Sequence, residues 1–166
     1  MAFKDKRFFL WLLLATVVIT LDQVSKLAVL AHLSDGESIP VTDFFNLVLL
    51  YNPGAAFSFL ASHDGWQRWF FIVLALGVSG WLFTMVRRHQ AEVLQPLAFS
   101  LVAGGALGNV IDRFHIGAVV DFLYFHISGY GWPAFNLADS AICLGVGLMI
   151  LAQIRESMAA KKDGAP

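Results

Sequence analysis

Asp121 and Asp139 stand where a solvated aspartate has no reason to be. Asp121 is flanked by Val119, Val120, Phe122 and Leu123, with no basic neighbour in sequence. Asp139 lies one turn inside an apolar run, with Asn136 three residues before it and Ala138 beside it. Ionisable residues in or beside membrane spans are costly, which makes them functional-site candidates by default. Two such carboxylates facing each other at a membrane surface suggest acid–base chemistry on a peptide bond. At about 4 Å and an effective dielectric near 20 they repel by about 4 kcal/mol, equivalent to about three pKa units. Such a pair shares one proton near neutral pH. Its ionised member can take a proton from water while the protonated one polarises a carbonyl.

Other polar groups gather in the same part of the sequence. Asp22 and Lys26, at i and i+4, share one helix face and can pair. The bland alternative is an interfacial ion pair with Lys26 snorkelling outward. Asn109 and Arg113 have the same spacing, with Asp112 between them, and add an amide and a guanidinium to one face. Arg113 either anchors a helix end or holds a carboxylate or a substrate carbonyl. Asn52-Pro53-Gly54 is a natural turn, and Ala55 to Phe59 after it suits either an apolar lining or a packed loop. Gly104 and Gly108 form a G-x-x-x-G pair, with Gly105 between them, which favours close helix packing. Other hydrolytic motifs are absent. The histidines are scattered without H-E-x-x-H, no G-x-S-x-G is present, and adjacent Ser25 and Lys26 diverge on a helix. No metal or cofactor is expected.

The elements that position these groups follow from composition. At 166 residues the chain allows one domain. Its hydrophobic share of 58% and charged share of 14% depart from soluble proteins, and mean hydropathy is +0.69, so it reads as an integral membrane protein. No basic stripe or RNA-binding motif appears, so nucleic acid is excluded as a partner. The single cysteine, Cys143, cannot form an internal disulfide and is expected to be a small core residue. Spans are expected at about 8–30, 69–86, 94–113 and 135–155, with outer segments 31–67 and 114–133, in a single membrane domain over 1–166. The first run resembles the basic and apolar regions of a signal peptide. Its length, and its continuation past Asp22 and Lys26, argue for a retained helix. Phe44 to Tyr51, short, apolar and bounded by turn formers, reads as a strand.

Orientation follows from the basic residues. Lys4, Lys6 and Arg7 precede the first span, Arg87 and Arg88 link the second to the third, and Arg155, Lys161 and Lys162 follow the fourth. Both termini are therefore expected in the cytoplasm, with Trp66, Trp69, Tyr130 and Trp132 in an outer aromatic belt. Depth places the acids. At about 1.5 Å per residue, Asp22 lies about 22 Å along the first span, Asp112 about 25 Å along the third and Asp139 about 24 Å along the fourth. Against a hydrocarbon core about 30 Å thick, all three share a level just inside the outer boundary.

With these residues in view, the chain resembles the lipoprotein signal peptidases (signal peptidase II), bacterial membrane aspartyl peptidases. Five segments carry the resemblance, in the family's order: Asp22 to Lys26, Asn52 to Phe57, Gly104 to Arg113 with its G-N-x-x-D-R ending, Val119 to Phe122, and Phe135 to Asp139. The resemblance implies an all-α membrane protein of four transmembrane helices. It adds a small extracytoplasmic β-cradle and a short interfacial helix, both falling in 31–67. It implies an endopeptidase that removes the signal peptide of diacylglyceryl-modified prolipoproteins, cleaving before the lipidated cysteine. Asp121 and Asp139 take the place of the catalytic dyad. Asp22, Lys26, Asn52, Gly54, Gly108, Asn109, Arg113, Asn136 and Ala138 match supporting or substrate-contacting positions. The implied partners are prolipoproteins with a lipidated cysteine, membrane lipid and globomycin-type inhibitors. The implied location is the bacterial inner membrane, with the active site at its outer face. A proton-coupled carrier is the competing class, but it should hold polar residues at the midplane and show internal repeats. A non-catalytic assembly factor is the third, and would tolerate Asp→Asn changes.

Overall fold

Long apolar runs without interior proline form helices, and four dominate the chain. The computed structural model describes residues 2–54 and 65–162. Within them lie α1 (Ala2–His32), β1 (Ser38–Thr42), β2 (Phe45–Asn52), α2 (Trp66–His89), α3 (Leu94–His115), β3 (Val119–Ile127), β4 (Tyr130–Gly131) and α4 (Leu137–Lys162). Lys6–His32, Trp66–His89, Leu94–His115 and Leu137–Ala159 are long and apolar enough to cross a membrane. Their outer faces expose Leu13, Val17, Val73, Trp81, Leu144 and Ile150, an apolar girdle suited to lipid rather than water.

Helix α3 is the centre of the bundle and packs against the other three. Its glycines explain how closely. A methyl group on Gly104 would lie 2.9 Å from the Ala15 carbonyl of α1, and one on Gly108 would lie 2.6 Å from Asp22 Oδ2. On Gly105 it would strike the Ala138 carbonyl of α4. The glycine spacing therefore serves packing, as expected, and it lets α1 and α4 meet α3 where the polar residues are.

The strands form one antiparallel sheet in the order β1-β2-β3-β4, capping that end of the bundle. Val29 of α1, Leu33 just past its end, Leu49 of β2, and Val120 and Phe122 of β3 fuse helix end and sheet into one core. The expected strand at 44–51 is β2, within a residue at each end. The sheet does not fall wholly in 31–67, however: β3 and β4 come from the second outer segment. Val119–Ile127 is rich in β-branched and aromatic residues, which is its physical reason for being a strand. A shift of register in β2 between Leu47 and Leu50 brings Leu50 opposite Asp121. Among the described residues of 31–67 there is no short helix separate from α1 and α2, and the Ala55–Phe59 lining lies outside the described residues. Cys143 is exposed on α4 rather than in the core, because apolar character alone does not distinguish a lipid-facing position from an inward one.

Candidate active site

The start of α4 builds the first half of the site. Asn136 is its N-cap: Asn136 Oδ1 accepts the Asp139 N–H at 2.9 Å, and Asp139 Oδ2 accepts the Asn136 N–H at 3.3 Å. This reciprocal pairing has the form of a capping box. It fixes the Asp139 carboxylate beside orphan N–H groups at a helix N-terminus, where negative charge is favoured. Asn109 of α3 donates from Nδ2 to Asp139 Oδ1 at 2.8 Å.

Strand β3 brings the second carboxylate. Asn136 Nδ2 donates to Asp121 Oδ1 at 2.8 Å, so one asparagine clamps both acids. The Asn52-Pro53-Gly54 turn completes the clamp. Its Asn52 Oδ1 accepts the Gly54 N–H at 3.0 Å while Asn52 Nδ2 donates to Asp121 Oδ2 at 3.2 Å. Asp121 is buried and Asp139 is partly exposed. Burial first, then the negative charge of Asp139, pushes the Asp121 carboxyl up from 3.8 to about 7, against the hydrogen bonds from Asn52 and Asn136 and the charge of Lys26. A carboxyl titrating near neutral beside a second carboxylate can both give and take a proton.

Behind the pair lies a buried ionic network. Lys26 Nζ reaches Asp22 Oδ2 at 2.8 Å, Asp112 Oδ2 at 2.7 Å and Asn109 Oδ1 at 2.9 Å, which uses all three of its donors. It is 2% exposed, so it does not snorkel outward; it points into the bundle. Asp22 Oδ1 accepts the Ala138 N–H at 2.9 Å, holding the start of α4. Asp112 Oδ2 accepts the Val120 N–H at 3.1 Å, holding the start of β3. The two acids on Lys26 thus fix the two elements that carry Asp139 and Asp121.

Arg113 is buried, and its guanidinium lies 5.1 Å over the Phe71 ring. Nη2 donates to the Gly54 carbonyl at 2.6 Å and Nη1 to the Asn109 carbonyl at 3.4 Å, while Nε has no partner among the described residues. It is no interfacial anchor.

All eleven residues singled out in the sequence therefore come together at one end of the bundle. Two participants were not singled out. The sequence places Asp112 at the level of the other acids without giving it a role, and it carries Gln23 only as part of the Asp22–Lys26 segment. Gln23 Nε2 donates to Asp112 Oδ1 at 2.8 Å and to Asp22 Oδ2 and the Gly108 carbonyl at 3.2 Å each. Its only sequence signal is an amide beside Asp22 in an otherwise apolar helix.

Four apolar helices joined to a small sheet, with a clamped carboxylate pair where they meet, define a multi-pass membrane protein with its polar centre at one end. The family model for signal peptidase (SPase) II matches residues 14–155. A lipoprotein signal peptidase from Azoarcus sp. (strain BH72) is 63% identical over 87% of this chain and 82% of the relative. One from Ralstonia nicotianae is 53% identical over 87% of this chain and 84% of the relative. A solved bacterial membrane enzyme, determined by the in meso method at 2.3 Å resolution, superposes with a TM-score of 0.80. Its identity is 35%, over 89% of this chain and 88% of that one. The chain belongs to the signal peptidase II family and is a peptidase.

Proposed function

We propose that this peptidase removes the signal peptide of diacylglyceryl-modified prolipoproteins, cleaving before the lipidated cysteine with Asp121 and Asp139 as an aspartic dyad. The observation that carries the reading is Asn136 clamping both carboxylates while Asp121 is pushed up to about 7. The dyad shares one proton. Its ionised member takes a proton from water, whose oxygen attacks the scissile carbonyl carbon. The protonated member donates to the carbonyl oxygen. Collapse of the tetrahedral intermediate breaks the C–N bond, and the cysteine nitrogen leaves with a proton returned by the dyad. Relatives named lipoprotein signal peptidase support the substrate class. Incubating the purified protein with lipidated and unlipidated prolipoprotein, and sequencing the new N-terminus, tests it. Equal cleavage of both forms, or cleavage elsewhere, removes the reading.

Arg113 is assigned to hold the Gly54 turn and the substrate backbone. Arg113→Lys should lose turnover about ten- to a hundredfold, since it forfeits charged hydrogen bonds that a planar fork alone can make together. Near-wild-type turnover would leave Arg113 without this role.

The protein is further proposed to be one integral domain of the inner membrane, termini inside and dyad at the outer face, on the strength of its basic loops. Single cysteines at Asp43 and Ala91, both exposed, in a Cys143→Ala background should report this. A membrane-impermeant maleimide on intact spheroplasts should label position 43 and spare position 91. The reverse pattern would put the dyad on the inner side.

A further inference from the structure

The end of the bundle away from the aspartates has unpaired positive charge. Arg7, Arg87 and Arg88 have no carboxylate within ion-pair distance among the described residues. Arg7 donates to the Ala91 carbonyl at 2.9 Å, Arg87 lies 5.7 Å from the Phe8 ring, and Arg88 is exposed. Basic residues in the last turn of α2 suit the negative end of its dipole. That accounts for charge, but not for the cleft beside it.

A cavity of about 520 Å³ opens there, lined by Phe8 of α1 and by Gly80, Phe83, Thr84, Arg87 and Arg88 of α2. The two helices touch only sparsely. Gly80 precedes Arg87 by two helical turns, so the cleft descends about 10 Å from the guanidiniums into the apolar zone. A methyl group on Gly80 would meet nothing within 4 Å, which leaves the floor of the cleft open. Cations thus stand at the rim, with two aromatic rings and a glycine below. A small anion would satisfy the rim and leave the slot unfilled. A zwitterionic lipid would bring its own cation against the guanidiniums. We infer that this cleft between α1 and α2 is a binding site for an anionic phospholipid, its phosphate on Arg87 and Arg88 and one acyl chain along Phe8, Phe83 and Gly80. Basic pockets between spanning helices are where such head groups bind.

Native mass spectrometry and thermal unfolding of the delipidated protein in detergent test this with three probes: phosphatidylglycerol, phosphatidylcholine and glycerol 3-phosphate. Phosphatidylglycerol should bind one to one and raise Tm; the other two should do neither. Arg87→Gln and Arg88→Gln should each weaken phosphatidylglycerol about fivefold, from about 1 kcal/mol per basic residue. Gly80→Phe, which fills the slot and keeps both guanidiniums, should weaken it as well, and Gly80→Leu serves where the larger ring lowers the unliganded Tm. Equal binding of phosphatidylcholine overturns the proposal. So does glycerol 3-phosphate competing as well as the lipid, which would make the rim a small-anion site. Unchanged affinity in the arginine variants or in the Gly80 variants also overturns it.

Discussion

Asp121→Asn and Asp139→Asn should each lower prolipoprotein cleavage by about four orders of magnitude or more, and the double variant should be no worse, because residues acting as one unit are not additive. An amide can neither accept the water's proton nor cycle it. Stability should move the other way. The Asp121 carboxyl titrates near 7 when folded and near its ordinary 3.8 when unfolded. Between those values the native state holds the proton and the unfolded state has lost it, so stability falls as pH rises from about 4 to about 7 and then levels off. The loss amounts to about 4 kcal/mol at most. Asp121→Asn removes this slope. The amide can accept from only one of its two donors, Asn52 and Asn136, which offsets the gain by about 1 kcal/mol. The variant should therefore match wild type near pH 5 and exceed it by a few kcal/mol above pH 8. Unfolding in detergent at both pH values, beside cleavage assays on the same preparations, checks this. A large drop in Tm accompanying the lost activity would mean that the aspartates hold the bundle together, and the dyad assignment would fail.

How much of this was legible depended on the range of the interaction. Spans, the β2 strand and the glycine packing face are local patterns of hydropathy, turn residues and side-chain size, and all three were readable. The i, i+4 pairs Asp22–Lys26 and Asn109–Arg113 were readable for the same reason. What Lys26 does was not, since its second acid, Asp112, lies on another helix and no spacing within one element reports it. Asp121 was legible as an anomaly and illegible as part of a strand. The segment that carries it buries four successive residues, Val119 to Phe122, so it lacks the in–out alternation of a half-exposed strand. The Asn136–Asp139 spacing carried two meanings at once, a helix cap and a hydrogen-bond clamp on both carboxylates. Cys143 shows the opposite limit: bilayer and protein core are both apolar, so hydropathy does not tell its two sides apart.

Lys26→Met should be the most damaging single change to stability. Lys26 is the cation for Asp22 and Asp112, which are 0% and 3% exposed. Removing one member of a buried ionic set leaves uncompensated charge and costs about 3–5 kcal/mol. The damage should not stay local, because Asp22 holds the Ala138 N–H of α4 and Asp112 holds the Val120 N–H of β3. Two carboxylates repelling each other would pull on both attachments, and Asp139 and Asp121 would lose their register. Activity should therefore fall with stability, unlike the dyad variants. The compensating variant separates charge from packing. Lys26→Met combined with Asp22→Asn and Asp112→Asn removes the orphaned charges and should recover most of the lost stability, since replacing a whole buried ionic set is often close to neutral. Each new Asn still accepts the backbone N–H, so part of the activity should return with the fold. Tm in detergent and prolipoprotein cleavage on wild type, the single and the triple variant decide it. A single variant as stable as wild type would show that the Lys26 network does not hold α4 and β3. A triple variant as unstable as the single would show that the methylene stem of Lys26, not its charge, carries the stabilisation.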